Sequence, residues 1–405
     1  MRTFHVTTGG RLAVLAGLSL WGCAERPTEP TMARSYAKPS QWSLEATIRS
    51  YADAFLAIQQ PGGEYDLAPR VQTHLKTEIS MAWASTALGD PIYAQSGWAD
   101  HQWVIGNRME ANGGLNWDGP ANPYFFEVHQ HWFLIANATL ARAARPPFDT
   151  HDTCARAWSF LAGENAARLD FYETNLRRHG AFFAFRDVDR RGRFQTQAPF
   201  KGSYETGAAI WALALHRNSD WAQRATTGGG RAIDYLPRIV AAALRPPAEK
   251  GYWDASTAAW IRAHLWNGNG WQGWQGPDAK YGFHLQEAML EYLYESGATT
   301  GWSETAACSR QLIGRVRANG TIQGLPDGYG SPEYEYGVAL SLLALTARAA
   351  RDRDPVLSAD AYAAAGAVAA RIVAWFPPGT QEDHAMILLG LARYVAIGRA
   401  LGNVS

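Results

Sequence analysis

Two short stretches of the sequence place carboxylates directly before a long apolar run. The stretch that begins at Ser331 reads SPEYEYGVALSLLALTA, and SYETGAAIWALALH begins at Ser203. Ser331 and the proline after it are typical of a helix start, which accounts for Glu333 as a residue of the first turn. Glu335 lies further in, where capping explains it less well. A carboxylate in an apolar cavity has a raised pKa, which a general acid requires near neutral pH.

A pair of such carboxylates could hydrolyse a glycosidic bond. One carboxyl group protonates the leaving oxygen, and the other activates water or attacks the sugar carbon. Glutamates at helix starts are the candidates for the acid, and aspartates in the preceding loops are the candidates for the base. The acid candidates are Glu127, Glu205 and Glu335, and the base candidates are Asp118 and Asp327. The sequence does not select the pair, because the separation of two carboxylates is a three-dimensional quantity.

A second chemistry would use tyrosine and histidine. Cleaving a uronate polymer by β-elimination, or epimerising it, begins with proton abstraction beside a carboxylate. That step needs a Tyr or His base, an acid, and Asn, His or Arg groups that neutralise the carboxylate of the substrate. The candidates for these roles are Asn116, Asn122, Tyr124, His129, His131, His284 and Tyr334. Among them, we predict that His129 takes part in catalysis.

Metal chemistry has weaker support in the sequence. Glu127, His129 and His131 alternate at a spacing that resembles a metal-ligand set, but residues i and i+2 do not share a helix face. Cys154 and Cys308 are too scattered for a structural zinc site, although an oxidising compartment would permit a disulfide between them. We therefore predict neither a metal nor another cofactor.

The elements that position these residues are predicted to be helices. Beyond residue 42, Ala and Leu recur at helical spacing, and the one stretch that reads as a hairpin or extended loop is 179–195. An acidic or histidine residue precedes an apolar helix six times, with gaps of 49, 78, 79, 51 and 47 residues. These six anchors are Glu78, Glu127, Glu205, His284, Glu335 and Glu382. Each gap holds a pair of helices, one apolar enough for burial on all sides and one amphipathic.

Six buried helices alternating with six amphipathic ones predict a closed, all-α ring of helical hairpins. In the spacing of the anchors and in the alternation of apolar and amphipathic helices, residues 42–402 resemble the (α/α)6 toroids found among carbohydrate-active enzymes. The resemblance implies a cleft at one end of the ring, lined by the loops that enter the inner helices. An open α-solenoid is the structural alternative, because its inner and outer helices also alternate.

Three loops before these helices are rich in Gly, Asn and Asp, with Trp or Tyr interleaved. They span 106–124, 266–283 and 319–334. Aromatic faces with amide and carboxylate edges suit sugars, and loops of this length are uncommon unless they are functional or disordered. We predict that they bind substrate, with Trp117, Trp271, Trp274 and Tyr281 as platforms for sugar rings. The full set of substrate-binding candidates is Asn116, Trp117, Tyr124, His131, Tyr204, Trp271, Trp274, Tyr281, His284 and Tyr334.

The N-terminus is predicted to be a targeting segment. Residues 12–21 form an apolar stretch too short to span a bilayer, and it ends in Leu-Trp-Gly-Cys at Cys23. This ending resembles the lipobox of bacterial lipoproteins, although Trp21 is bulkier than usual there. The resemblance implies lipidation of Cys23 and a cell-envelope location. Residues 1–23 are thus the signal peptide, 24–41 a Pro-rich flexible tether, and 42–405 the toroid domain.

Overall charge and motifs exclude other functions. Lys plus Arg equals Asp plus Glu at 37 each, which disfavours a nucleic-acid binder. The sequence contains neither a phosphate-binding P-loop nor a Gly-x-Ser-x-Gly nucleophile motif. The leading expectation is a glycan hydrolase with an oligo- or polysaccharide substrate. A polysaccharide lyase or uronate epimerase, and a non-catalytic glycan-binding lipoprotein, are the alternatives.

Overall fold

The three-dimensional structure is a computed structural model, and it describes residues 41–67, 70–116, 124–143, 151–161, 187–189, 200–224, 230–266, 271–278, 281–325 and 332–403. Twelve α-helices occur in these ranges. They are α1 (Gln41–Ala57), α2 (Val71–Leu88), α3 (Pro91–Arg108), α4 (Glu127–Ala143), α5 (His151–Leu161), α6 (Ser203–Leu215), α7 (Ala232–Ala243), α8 (Tyr281–Ser296), α9 (Trp302–Arg315), α10 (Pro332–Ala350), α11 (Pro355–Trp375) and α12 (Glu382–Ala400).

The even-numbered helices form the inner wall of a closed ring. Helix α2 packs against α4, α4 against α6, α6 against α8, α8 against α10, α10 against α12, and α12 returns to α2. An open solenoid has no such contact between its first and last inner helices. The predicted (α/α)6 toroid is therefore confirmed, and the open alternative is wrong.

The inner helices are buried on nearly every side. All residues of α6 from Ser203 to Ala214 are buried, and so are those of α8 from Gly282 to Leu293. Outer helices such as α9 bury one face only, as their amphipathic sequences predict. The six inner helices all begin at one end of the ring, which we call the mouth.

Close contact between inner helices explains why a glycine follows two of the anchor glutamates in the sequence repeat. Gly207 and Gly337 each follow an anchor glutamate by two residues, and both lie where inner helices touch backbone to backbone. A Cβ atom at Gly337 would lie 2.5 Å from the carbonyl group of Met386 on α12, and one at Gly207 would lie 3.0 Å from the carbonyl oxygen of His284 on α8. Any side chain there would push the two helices apart, so the close packing of the ring requires glycine.

Tight turns end three of the outer helices, and two of these turns lie within loops that are predicted to bind substrate. Each turn is closed by an isolated antiparallel β-bridge. The bridged pairs are Gln59 and Tyr65 after α1, Met109 and Leu115 after α3, and Val316 and Ile322 after α9. The central Gly113 and Gly320 have φ of 87° and 79°. A Cβ atom at either would lie 2.1 Å from a carbonyl oxygen of the next outer helix. The Asn-Gly pairs in these parts of the loops are thus architectural, since they bring one outer helix against the next.

The described residues also include six strands. They are β1 (Tyr124–Phe126), β2 (Asp187–Asp189), β3 (Phe200–Gly202), β4 (Trp253–Asp254), β5 (Ala259–Trp266) and β6 (Trp271–Pro277). Strand β1 pairs antiparallel with β2, and β5 pairs antiparallel with β3, β4 and β6.

The β5–β6 hairpin corrects the prediction of a loop over 266–283. Its second strand reads WQGWQGP, whose glycines indicate a loop, yet the ladder with β5 holds it extended. In the stretch 179–195, which was predicted to be a hairpin or loop, residues 187–189 form a strand that pairs with β1 rather than within the stretch. The remainder of that stretch lies outside the described residues.

Three further expectations concern the termini and the cysteines. Cys23 and residues 24–40 of the predicted tether lie outside the described residues, and the last tether residue, Gln41, begins α1. Cys154 and Cys308 are buried free thiols, and burial raises the pKa of Cys308 to about 12. By length and composition, α11 alone among the described helices could cross a membrane, but 61% of its most apolar window is buried within the protein.

Candidate active site

A lysine lies at the mouth, where the inner helices converge. Lys76 of α2 donates a hydrogen bond to the Tyr334 hydroxyl of α10 at 2.8 Å and to Glu382 Oε1 of α12 at 2.6 Å. Its side chain has no exposed surface. A buried ammonium group requires such partners, because an unpaired charge in the interior is costly. The ion pair with Glu382 provides the opposite charge.

Three aromatic rings surround the same ammonium group. Lys76 Nζ lies 4.9 Å from the ring centre of Tyr334, 5.4 Å from that of Trp132 on α4, and 5.6 Å from that of Tyr204 on α6. Cation–π attraction favours these positions most strongly where water is excluded. The aromatic shell and the hydrogen bonds therefore gather side chains from five inner helices around one charge.

The sixth inner helix contributes a histidine. His284 of α8 has Nε2 at 2.6 Å from the Tyr334 hydroxyl, and its Nδ1 lies 3.1 Å from Glu287 Oε2. The rings of Trp132 and Tyr204 pack against the imidazole with centroid distances of 5.6 and 5.0 Å. Burial, followed by neighbouring tyrosine and carboxylate charges, raises the pKa of Tyr334 well above its usual value, so this group rests as a neutral phenol. The mouth thus holds a Lys–Tyr–His chain of hydrogen bonds.

A protonatable carboxyl group follows Tyr204 directly in the sequence. Glu205 occupies the first turn of α6 and is 1% exposed. Burial raises its pKa to about 7, although a backbone hydrogen bond and the charge of Arg262 oppose the shift. Arg262 lies over the ring of half-buried Tyr281 at 4.6 Å, and Tyr281 in turn packs edge-on against Tyr204 at 5.6 Å. Near neutral pH, Glu205 can donate a proton and recover it.

Tyr204 lies close enough to both Glu382 and Glu205 for their charges to act on its hydroxyl group. Burial raises its pKa, and the charges of Glu382 and then Glu205 raise it further, so both carboxylates act on one phenol. Gln72 of α2 donates a hydrogen bond to the Tyr204 hydroxyl at 2.6 Å and fixes its position. The side chain of Glu382 keeps 26% of its surface exposed, so this carboxylate meets solvent at the mouth.

The predicted residues of α4 also lie at or near the mouth. Glu127 is the first residue of α4. Burial raises the pKa of Tyr252, and the charges of Glu205 and then Glu127 raise it further. Burial lowers the pKa of His129 to about 3, with a further contribution from Lys76, and burial lowers that of His131 to about 3. Both imidazoles are therefore neutral at physiological pH.

Other predicted residues have different surroundings. Glu335 is buried in the first turn of α10, but its neighbour Tyr334 makes the contacts with Lys76 and His284. Asn116 donates to Glu110 at 2.7 Å and so holds its own turn together. Trp274 lies on β6 and is 49% exposed, as a platform for sugars would be.

Six of the candidates cannot be placed by their side chains. Trp117, Asp118, Asn122 and Asp327 lie outside the described residues. Trp271 and Tyr124 are described only as members of β6 and β1. Within the ranges that the structure describes, no group of three or more His, Cys, Asp and Glu side chains could hold a metal ion.

Lys76, Trp132, Glu287 and Glu382 are site residues that sequence reasoning missed. A lysine within the buried stretch VQTHLKTEISMAWASTAL was an available signal for Lys76, because lysine is almost never buried without a partner. Glu382 was found as an anchor of the repeat but not as a functional residue. Nothing in the sequence distinguishes Trp132 or Glu287 from ordinary core and helix residues.

Comparison with solved structures supports the fold. An inactive variant of an α-1,6-mannanase from Salegentibacter, with two adjacent aspartates replaced by asparagine and α-1,6-mannotriose bound, has a TM-score of 0.55 and 9% identity over 88% of this chain and 99% of that one. A glycoside hydrolase family 76 mannosidase from Bacteroides thetaiotaomicron has a TM-score of 0.58 and 11% identity over 88% and 99%. Cellobiose 2-epimerase from Bacillus thermoamylovorans has a TM-score of 0.56 and 10% identity over 80% and 86%.

No protein-family model matches the sequence, and no curated protein matches it. At these low identities, the structural similarities show a shared fold. The chain therefore has the (α/α)6 toroid fold of these mannan hydrolases and of the epimerase, with a charged, aromatic mouth where all six inner helices begin.

Proposed function

We propose that this protein is a carbohydrate-active enzyme that hydrolyses glycosidic bonds at the mouth of the ring. The observation that carries this proposal is Glu205, a buried carboxyl group whose pKa is raised to about 7 among aromatic side chains. A general acid works best when its pKa lies near the operating pH. The substrate is an oligo- or polysaccharide, because the flat faces of Tyr281 and Trp274 offer platforms for sugar rings.

In the proposed reaction, Glu205 protonates the glycosidic oxygen while a second carboxylate serves as base or nucleophile. Glu382 suits the second role, since Lys76 stabilises its ionised form and its side chain reaches solvent. The two carboxyl groups differ in environment, one desolvated and one ion-paired, and such differences separate an acid from a base in a glycosidase. Glu127 is the alternative second carboxylate.

One structural neighbour motivates a further part of the proposal. The mannanase variant with two adjacent aspartates replaced is inactive. Glu382 and Asp383 are the only two adjacent acidic residues in this sequence, and the charges of both raise the pKa of Tyr334. A role for the Glu382–Asp383 pair in catalysis is therefore part of the proposal.

The test is an assay for new reducing ends on α-1,6-mannotriose and longer mannan oligosaccharides. Glu205→Gln is expected to lower kcat by about 10²–10⁴-fold, the usual contribution of a general acid. Glu249→Gln, on an exposed glutamate, is the matched control and should leave the rate unchanged. Full activity in Glu205→Gln would exclude Glu205 as the acid. Binding of the oligosaccharides without turnover would favour a glycan-binding protein.

A second candidate reaction is favoured by the Lys76–Tyr334–His284 chain. Tyrosine and histidine joined at 2.6 Å can pass a proton to and from a sugar carbon, as epimerisation or β-elimination requires. Cellobiose and a polyuronate are the probes for this reaction. Formation of a C2 epimer, or of an unsaturated product that absorbs in the ultraviolet, without new reducing ends from mannan, would establish it in place of hydrolysis.

We also propose that the protein is exported and anchored to the cell envelope through a lipid on Cys23. The support is the sequence alone, in the apolar stretch that ends at this cysteine. Expression in a bacterial host with a labelled fatty acid should label the wild type and not Cys23→Ser. A wild-type protein that carries no label and remains in the soluble fraction would contradict the anchor.

A further inference from the structure

A network of buried charges lies behind His284, on the side away from Tyr334. Glu287 Oε2 lies 3.1 Å from His284 Nδ1, while Glu287 Oε1 accepts hydrogen bonds from Ser341 Oγ at 3.0 Å and from Arg393 Nη1. His284, Glu287 and Arg393 come from α8 and α12 and are at most 2% exposed. Neither proposed reaction assigns Glu287 or Arg393 a role so far.

The charges in this network alternate. Arg393 also contacts Glu291 Oε1 at 3.4 Å, and Arg348 contacts Glu291 Oε2 at 2.6 Å. Burial opposes ionisation of Glu287, but Arg393, His284 and Ser341 overcome it and lower the pKa of Glu287 to about 2. Glu287 is therefore an ionised carboxylate at neutral pH.

An ionised carboxylate only accepts hydrogen bonds, so the hydrogen between Glu287 and His284 resides on Nδ1. In a neutral imidazole, Nε2 then carries a lone pair, which faces the Tyr334 hydroxyl at 2.6 Å. The Tyr334 hydroxyl donates to Nε2, while the Lys76 ammonium group donates to the Tyr334 oxygen at 2.8 Å. Every hydrogen bond from Lys76 to Glu287 thus points in one direction.

We infer that Glu287, fixed by Arg393 and Ser341, is a positioning residue that sets the tautomer of His284 and makes Tyr334 and His284 one proton-transfer pair. When the Tyr334 proton moves to His284 Nε2, the phenolate formed faces Lys76, and the imidazolium formed faces Glu287. The step breaks the O–H bond of Tyr334 and forms an N–H bond on His284, and it needs no further reactant. The inference rests on the second proposed reaction for its catalytic use.

The direct test is nitrogen NMR of the whole protein labelled with ¹⁵N-histidine, with the His284 signals identified by their loss in His284→Gln. We expect the tautomer that carries hydrogen on Nδ1 in the wild type at pH 7. In Glu287→Gln, we expect that tautomer to give way to a mixture or to the Nε2–H form. The Nε2–H form in the wild type, or an unchanged tautomer in Glu287→Gln, would overturn the inference.

Two further experiments distinguish a positioning role of Glu287 from an effect on protein stability and from a loss of the proposed activity. Ser341→Ala removes a hydrogen bond to Glu287 but leaves the contact with His284, so it should lower the melting temperature and keep the tautomer. If Glu287→Gln fails to fold, the wild-type tautomer and Ser341→Ala still decide the question. In the epimerase or lyase assay, Glu287→Gln should lower kcat by 10–100-fold with KM within twofold. The tautomer is measured without turnover, so it tests the inference even if both proposed reactions are wrong.

Discussion

Lys76 and Tyr334 are 258 residues apart in the sequence, and their side chains meet at 2.8 Å where the six inner helices converge. The same ammonium group contacts Glu382 and three aromatic rings. One charge therefore contacts side chains from four other inner helices at the mouth, and we expect its removal to affect both the architecture and the proposed chemistry.

Replacement of Lys76 by methionine tests this organising role. The change removes the hydrogen bonds that Lys76 donates to Glu382 and to the Tyr334 hydroxyl, so we expect activity to fall by about 100-fold or more, as the loss of one positioned donor typically causes. The free energy of unfolding should fall by about 1–3 kcal/mol, the usual cost of an unmatched buried polar group. Urea denaturation and the sugar assays measure the two effects. Activity within twofold of the wild type would show that the lysine is only structural.

The pH dependence of hydrolysis reports on Glu205. Because its pKa is raised to about 7, the acid is protonated below that pH, and kcat should fall as pH rises through about 7. The charge of Arg262 lowers the pKa of Glu205, so Arg262→Gln should move the basic limb of the profile to higher pH. A limb that stays in place, or moves to lower pH, would contradict the assignment of Glu205 as acid.

Glycine at the inner-helix contacts has a matched control within the chain. Gly337→Ala places a Cβ atom 2.5 Å from the backbone of α12, and we expect it to destabilise the protein by about 1–3 kcal/mol through overpacking. Gly314, on outer helix α9, has open space around the corresponding position. Gly314→Ala should stabilise the protein by about 0.5–1 kcal/mol, because alanine favours a helix. Equal effects in thermal unfolding of both variants would show that the close approach is unimportant.

Buried histidines predict a loss of stability in acid. Burial lowers the pKa of His101, His129 and His131 to about 3 and of His216 to about 4, while the unfolded chain titrates near 6.5. Between those values the unfolded state binds more protons, so stability rises with pH by about 1.4 kcal/mol per pH unit for each histidine.

Two buried carboxyl groups have the opposite effect to the histidines on the pH dependence of stability. The raised pKa values of Glu78 and Glu205 mean that the folded state retains their protons above pH 4.5, which lowers stability as pH rises. Four histidines outnumber two glutamates, so urea unfolding should show a net gain in stability from pH 4.5 to 6.5. His216→Gln should reduce that slope, and an unchanged slope would refute the contribution of His216.

The exposed tryptophan of the β5–β6 hairpin has a prediction of its own. Trp274→Ala should raise KM for oligosaccharides about 5–10-fold, the loss of one stacking contact worth about 1–1.4 kcal/mol, with kcat and melting temperature unchanged. Trp375→Ala is the control, because Trp375 is 63% exposed at the end of outer helix α11. An equal rise in KM for both variants would contradict a specific platform at Trp274.

Several features of the fold followed from the sequence. Six apolar runs separated by amphipathic ones predict inner and outer helices, because a helix that is apolar all round is stable only when it is buried on all sides. The β5–β6 hairpin did not follow, since the extended state of WQGWQGP depends on its ladder with β5. In the sequence, the Asn-Gly turns at Gly113 and Gly320 resemble ligand-binding loops. The structural need for glycine there is not visible in the sequence, because the carbonyl groups that approach these turns belong to helices far away along the chain.

The sequence by itself determined the ring of helical hairpins and the approximate position of the mouth. Helix type is a local property, and the anchors Glu127, Glu205, His284, Glu335 and Glu382 all lie in the first turn of an inner helix. The tertiary structure alone decided which side chains meet there. It brought together Lys76, Tyr334 and His284, and it gave Glu205 its raised pKa, because both depend on burial and on contacts between residues far apart in the chain.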